Sequence, residues 1–340
     1  METLILKGSQ LDKAAEFIRQ GELVAFPTET VYGLGADATN EAAVKKVYAA
    51  KGRPSDNPLI VTVSNIAMVE KYTEPFSADA KALMKKFWPG SLTMIFKLKP
   101  NALSKTVTGG LDTAAFRFPN NQMTLDLISK AGVPIVGPSA NTSGKPSPTT
   151  AQHVYHDLNG KIAAIVDDGP TSVGVESTIL DMSVPTPSIL RPGAVTKEDV
   201  EAVIHRPVID ELHHVGAKQT PKAPGMKYKH YAPNAQVYIV DPDDDWHDVV
   251  AWIQKNPQPI GVMAFDDVVK SISWPDNVDV ISLGKNAASA AHDLFAELRD
   301  FDNHPAYKII FTQGISPEGI GEAYMNRLNK SAGQMHFNQL

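Results

Sequence analysis

The 340-residue sequence contains no cysteine. Disulfides, thiolate metal sites and cysteine nucleophiles are therefore excluded, and a reducing compartment fits. No apolar run approaches membrane-spanning length. Met1-Glu2-Thr3-Leu4-Ile5-Leu6 lacks the basic region that opens a signal peptide. A cytoplasmic protein with no membrane contact is expected. The standard nucleotide fingerprints are missing as well. Gly33-Leu34-Gly35-Ala36-Asp37-Ala38 has the spacing of a dinucleotide motif but does not open a helix directly after a strand. Ser143-Gly144-Lys145-Pro146 mimics the end of a P-loop. Ser139 stands where that motif needs glycine, and Pro146 where it needs serine or threonine. No G-x-S-x-G elbow occurs. His153 and His156 lack an acidic third ligand, so surface histidines account for them and no metal site built from protein side chains is expected.

The composition is that of an ordinary soluble protein, with 43% hydrophobic and 21% charged residues. The length suggests two domains. The net charge of −6 is uneven: residues 1–211 carry −2, residues 212–235 carry +4 and residues 236–340 carry −8. The acidic C-terminal third is a poor nucleic-acid surface.

The pattern along the chain is α/β. Strands are expected at 22–26, 59–63, 92–98, 113–118, 133–136, 162–166, 176–180 and 188–190. Thr28 to Ala38 reads as a polar, glycine-punctuated loop. Asn40 and Ser77 cap helices, the second ending at Trp88-Pro89-Gly90, and further helices are expected over 122–131 and about 150–158. Thr196 to Asp199 resembles a capping box. Residues 212–235 show no periodicity, as in a linker or a functional lid. Strands near 236–240, 259–264, 278–282 and 307–311 then alternate with helices near 245–255, 286–300 and 317–330, as in a small parallel α/β domain.

Lys51-Gly52-Arg53-Pro54-Ser55-Asp56-Asn57-Pro58 sits between a helix and a strand. It sets a point charge and a planar guanidinium two residues apart, which suits a polyphosphate; a solvated turn is the alternative. Polar loops at other strand ends hold Thr28 and Thr30, Ser139, Asn141 and Ser147, Ser177 and Thr178, and Arg191. In an open α/β sheet such loops tend to line one crevice. Arg117, in an apolar strand, needs an anionic ligand or a structural ion pair. Three arginines and a lysine among hydroxyls and amides suit a ligand with phosphates and a carboxylate. No nucleophile or strong general base stands out. That points to phosphoryl or nucleotidyl transfer by positioning and charge neutralisation.

Five motifs then coincide: Pro27-Thr28-Glu29-Thr30-Val31-Tyr32-Gly33-Leu34-Gly35, Lys51-Gly52-Arg53-Pro54, Pro138-Ser139-Ala140-Asn141, Gly174-Val175-Glu176-Ser177-Thr178 and Pro224-Gly225-Met226-Lys227-Tyr228-Lys229-His230-Tyr231-Ala232-Pro233. In this order they resemble the YrdC family, in its long two-domain branch of threonylcarbamoyl-AMP synthases. The resemblance implies a YrdC-like catalytic domain at 1–211, with a twisted mixed sheet, helices and a large concave cleft. It implies a linker or lid at 212–235 and a smaller Rossmann-like parallel domain at 236–340. It also implies synthesis of L-threonylcarbamoyl-AMP and pyrophosphate from L-threonine, bicarbonate and ATP, with Mg2+ carried by ATP and no organic cofactor. The product would pass to a downstream threonylcarbamoyl transferase complex that modifies tRNA beside the anticodon, with tRNA met only weakly or indirectly.

By the same resemblance, Lys51, Arg53, Ser139 and Asn141 are the catalytic positions around the triphosphate. Asn57, Thr113, Ser147, Arg191, His230 and Tyr231 join Arg53 and Ser139 in holding ATP. Thr30, Thr62, Arg117, Gly137 and Ser177 hold threonine, with Arg117 on its carboxylate. Many members of the family carry histidine where this chain has Thr62. Lys227, Tyr228, Lys229, His230 and Tyr231 are expected to form a lid that excludes water from a labile anhydride. An RNA-binding module of the same fold, without nucleotidyl transfer, is the alternative. The related carbamoyltransferases of hydrogenase maturation carry zinc-finger cysteines, which this chain lacks.

Overall fold

A computed structural model describes residues 2–210, 221–222 and 231–340. The chain divides into two compact units: Met1–Ser143, Ser147–Ser172 and Glu176–Tyr228 form the first, and Gly144–Pro146, Val173–Val175 and Lys229–Leu340 the second.

The described residues of the first unit form eleven strands: β1 (Leu4–Leu6), β2 (Val24–Phe26), β3 (Gly33–Asp37), β4 (Val61–Thr62), β5 (Leu92–Lys97), β6 (Thr113–Arg117), β7 (Ile135–Val136), β8 (Ala164–Val166), β9 (Thr178–Asp181), β10 (Ser188–Arg191) and β11 (Ile209–Asp210). They form one sheet in the order β1-β8-β2-β3-β7-β4-β6-β5-β9-β10-β11. Parallel pairs such as β4 with β6 and antiparallel pairs such as β5 with β6 alternate irregularly, so the sheet is mixed, as expected.

Strand β3 corrects the expected loop at Thr28–Ala38. It pairs antiparallel with β2, placing Gly35 opposite Val24. A Cβ at Gly35 would lie 2.8 Å from the Val24 carbonyl oxygen. The close approach of the two backbones requires glycine, and glycine is what hides the strand from a propensity reading. Strand β5 is buried over Leu92–Phe96 rather than half-buried. Met94 and Phe96 enter the main core, whereas Ile95 packs with Ile60, Ala115, Ile179 and Leu190 on the opposite face.

Helix Leu11–Arg19 is absent from the sequence reading, although Leu11, Ala14, Ala15 and Ile18 recur at helical spacing. It packs on Leu127, Ile128 and Ala131 of helix Gln122–Ala131. Asn40, Ser77, Asn121, Thr150 and Thr196 each accept a backbone N–H in the first turn of their helices.

The second unit carries β12 (Gln236–Val240), β13 (Ile260–Ala264), β14 (Val278–Ser282) and β15 (Ile309–Gln313), all parallel, in the order β12-β15-β13-β14. Helices Trp246–Gln254, Ala287–Asp302 and Ile320–Ala332 match expectation; helix Asp266–Ser271 was not read from the sequence. Strand β15 begins two residues later than expected. Tyr307, just before it, instead packs edge-on against Phe301 and donates to Asp279 Oδ2 at 2.6 Å. None of the described helices is long and apolar enough to cross a membrane.

Candidate active site

Five neighbouring strands, β4-β6-β5-β9-β10, assemble a row of polar side chains on one face. Thr62 of β4 stands opposite Arg117 of β6, and Arg117 opposite Thr93 of β5. The Thr93 hydroxyl meets that of Ser177, just before β9, at 2.7 Å. Ser177 in turn accepts from Arg191 of β10: Nε reaches its carbonyl at 3.1 Å and Nη2 its hydroxyl at 3.4 Å. Arg191 belongs to this row because of a bulge. Ile189 pairs with Leu180, but Arg191 rather than Leu190 pairs with Ile179. The extra residue turns both Leu190 and Arg191 towards Ile179, whereas strict alternation would send one of them to the main core. The apolar cluster of Ile60, Ile95, Ala115, Ile179 and Leu190 occupies the same face. Three strand spacings separate Arg117 from Arg191, roughly 14 Å.

Loops carry the remaining residues to this face. Thr30, in the β2–β3 loop, accepts from Arg117 Nη1 at 2.7 Å and contacts the Thr28 hydroxyl at 2.9 Å. Gly137, after β7, bonds through its N–H to the Ile60 carbonyl. A Cβ there would lie 2.5 Å from Thr62 Oγ1, so glycine lets the loop pass directly over the threonine hydroxyl. The five residues expected around threonine, Thr30, Thr62, Arg117, Gly137 and Ser177, thus fall in one linked set.

The expected phosphate side forms a second set. Lys51 ends helix Glu41–Lys51 before Gly52, which adopts the left-handed cap. Its buried ammonium donates to the carbonyls of Ser139 and Asn141, the latter at 2.6 Å. Arg53 Nη2 donates to the Pro58 carbonyl at 3.1 Å. Asn57 is buried, and its Oδ1 has no hydrogen-bond partner among the described residues. Ser147 donates to Glu176 Oε1 at 2.5 Å. Tyr32 links the loops, its N–H meeting the Pro148 carbonyl and its carbonyl the Ala140 N–H. Thr113 is half-buried at the far end of β6, four residues from Arg117 on the same face. Lys51, Arg53, Arg117 and Arg191 are thus buried cations in this region, with Glu29 and Glu176 as buried carboxylates beside them.

The linker is described only in part. His230 and the other expected lid residues up to it lie outside the described residues. Tyr231 belongs to the second unit, buried there with its ring 5.0 Å from that of Phe295. Lys222 pairs at 2.9 Å with Asp181, a buried carboxylate at the end of β9. The sequence reading missed Thr93, Glu29 and Glu176 as parts of this network. Thr93 reads as one of the alternating residues of an ordinary strand. The signal for Glu29 and Glu176 was their place inside two of the five motifs. A cavity of about 910 Å³ lined in part by Glu41, Glu74, Lys99, Lys105 and Asp112 contains none of the expected site residues.

A family model described as "Telomere recombination", for Sua5, YciO and YrdC, matches residues 16–193. A second, described as "Threonylcarbamoyl-AMP synthase, C-terminal domain", matches residues 195–333. The chain is 47% identical to the threonylcarbamoyl-AMP synthase of Bacillus subtilis, over 95% of this chain and 93% of that one. The chain belongs to the threonylcarbamoyl-AMP synthase family. The family member of Pyrococcus abyssi is 43% identical over 94% of this chain and 93% of that one. A crystal structure of P. abyssi Sua5 complexed with L-threonine superposes with a TM-score of 0.90 at 40% identity, covering 98% of both chains. The match spans both domains, so the chain is of the family's long two-domain form, and its class is that of nucleotidyl-transfer enzymes. E. coli YciO, 20% identical with a TM-score of 0.51 over 57% of this chain, shares the fold.

Proposed function

We propose that the chain forms L-threonylcarbamoyl-AMP and pyrophosphate from L-threonine, CO2 or bicarbonate, and MgATP. The observation that carries this reading is the polar row on one sheet face, from Thr62 and Arg117 to Ser177 and Arg191. It offers a carboxylate anchor at one end and a phosphate anchor at the other. Gathering several buried cations in one region is costly, and a triphosphate with an amino-acid carboxylate matches that charge. The apolar floor excludes water between the two ends.

In this reading Arg117 and Thr30 hold the threonine carboxylate, with Thr62, Gly137 and Ser177 around the rest of the amino acid. The amine captures CO2 with release of a proton, or bicarbonate with release of water, as a carbamate, and a carbamate oxygen attacks the α-phosphorus. The new P–O bond forms as the bond to the leaving pyrophosphate breaks. Lys51, Arg53 and Arg191 stabilise the charge that develops there, while Ser139, Asn141, Asn57 and Ser147 orient the triphosphate. Thr113 lies on the adenosine side. Mg2+ enters with ATP as part of the substrate. The cysteine-free composition fits a cytoplasmic enzyme whose product is handed to a threonylcarbamoyl transferase acting on tRNA. The test is pyrophosphate release with ATP, bicarbonate and each amino acid in turn. A signal that needs both threonine and bicarbonate is expected; release independent of either refutes the reaction.

A further inference from the structure

Glu29 lies in the β2–β3 loop, next to Thr30, and its side chain is only 8% exposed. Each carboxylate oxygen has a partner from a different part of the first unit. Oε1 accepts from Ser91 Oγ at 3.0 Å, just before β5, and lies 2.8 Å from Arg117 Nη2. Oε2 accepts from the Asn120 N–H at 3.2 Å, beyond the end of β6. Its backbone carbonyl accepts from the Ser172 N–H. The carboxylate is therefore held from two sides, and the Glu29 backbone from a third, before it meets the guanidinium.

The guanidinium is fixed asymmetrically. Nη1 donates to Thr30. Nη2 is close enough to Glu29 for an ion pair but is not aligned for a hydrogen bond. Both Nη2 and Nε are buried donors with no hydrogen-bond partner among the described residues. These two nitrogens form one edge of the planar fork, the edge that meets a carboxylate with two parallel N–H···O bonds.

From this geometry we propose that Glu29 is a positioning residue for the amino-acid substrate. It attracts Nη2 without consuming its hydrogen bond, and with Thr30 it sets the plane of Arg117. The Nε/Nη2 edge is thereby directed at the substrate carboxylate. Glu29 does not touch the reacting atoms in this scheme. It acts through Arg117, and it makes the site discriminate a carboxylate from its neutral amide. The inference rests on the reading that Arg117 receives the threonine carboxylate.

The test compares wild type, Glu29→Gln and Glu29→Asp by calorimetric binding of L-threonine and of L-threoninamide, together with the KM for ATP. Wild type is expected to bind threonine at least about 30-fold more tightly than the amide, as follows from a charge-assisted bidentate pair. In Glu29→Gln that ratio should fall about 10-fold, through weaker threonine binding. The amide affinity and the KM for ATP should change by less than about 2-fold. Glu29→Asp keeps the charge and should recover part of the ratio. A variant that binds both ligands equally more weakly, or with the ratio intact, overturns the proposal and leaves Glu29 with a merely structural part. Failure of the wild type to bind threonine would instead overturn the substrate reading on which it rests. Should Glu29→Gln not fold, Ser91→Ala loosens the same carboxylate from outside. It should lower the ratio about 3-fold, and an unchanged ratio there likewise refutes the idea.

Discussion

Arg117 is the residue at which the two halves of the chemistry are easiest to separate. Its guanidinium is a rigid fork with one nitrogen committed to Thr30, so its value lies in geometry as well as charge. Arg117→Lys keeps the charge and loses the fork. Threonine binding, measured by calorimetry, should weaken about 10- to 100-fold, with ATP binding nearly unchanged. Lys51 behaves differently, because its ammonium holds the carbonyls of Ser139 and Asn141 while contributing its charge. Lys51→Met should therefore lower kcat about 100-fold or more. It should also cost about 2 kcal/mol of stability in denaturant melts, as two buried carbonyls lose a charged donor. Glu297 of the second unit leaves a pH signature. Burial first, then Asp293 and Asp300, pushes its carboxyl up to about 7 from 4.5. A raised carboxyl pKa contributes stability that is complete below the lower value and lost as pH rises through the higher one. Discounted for part exposure, the second unit should lose about 1 kcal/mol between about pH 5 and pH 8. Melting of Glu297→Gln should show that slope removed.

At the scale of elements, the site depends on two departures from regular structure. The bulge in β10 brings Arg191 onto the face it shares with Thr93 and Arg117, where strict alternation would give one residue fewer. The loop after β7 can cross Thr62 only because residue 137 is glycine. Gly137→Ala would press a methyl against Thr62 Oγ1 and the Phe26 ring. The expected cost is about 1–3 kcal/mol of stability, with weaker threonine binding as the loop lifts. Thr62→Ala in the same chain should restore part of both losses, because it removes the nearer of the two clashing atoms. Additive losses in that pair, by melting and calorimetry, would mean that the loop is held by something else. β3 teaches the same lesson. Its glycines permit the tight pairing with β2 that sets the Thr28–Thr30 loop beside Arg117.

For the molecule as a whole, charge sets the limits on partners. With −6 overall and −8 on residues 236–340, the charge balance disfavours nucleic-acid binding. The excess of cations is local and buried, which suits a small anion rather than a nucleic-acid backbone. Titration of unmodified tRNA at about 150 mM salt should give a dissociation constant of about 100 μM, with a shallow salt slope. Tight, steeply salt-dependent binding would favour the RNA-module alternative.

The sequence by itself determined the fold class, the parallel second sheet, three helix caps and the candidate site residues that its motifs contain, because these follow from local periodicity, capping and motif composition. Cysteine content alone removed whole classes of reaction. Only the tertiary structure decided that Thr62, Arg117, Ser177 and Arg191 share one face, since strand order and a bulge relate residues far apart in the chain. It also showed that Arg117 sits with Glu29 and that its Nε and Nη2 have no hydrogen-bond partner among the described residues, a matter of orientation that no spacing in a sequence encodes.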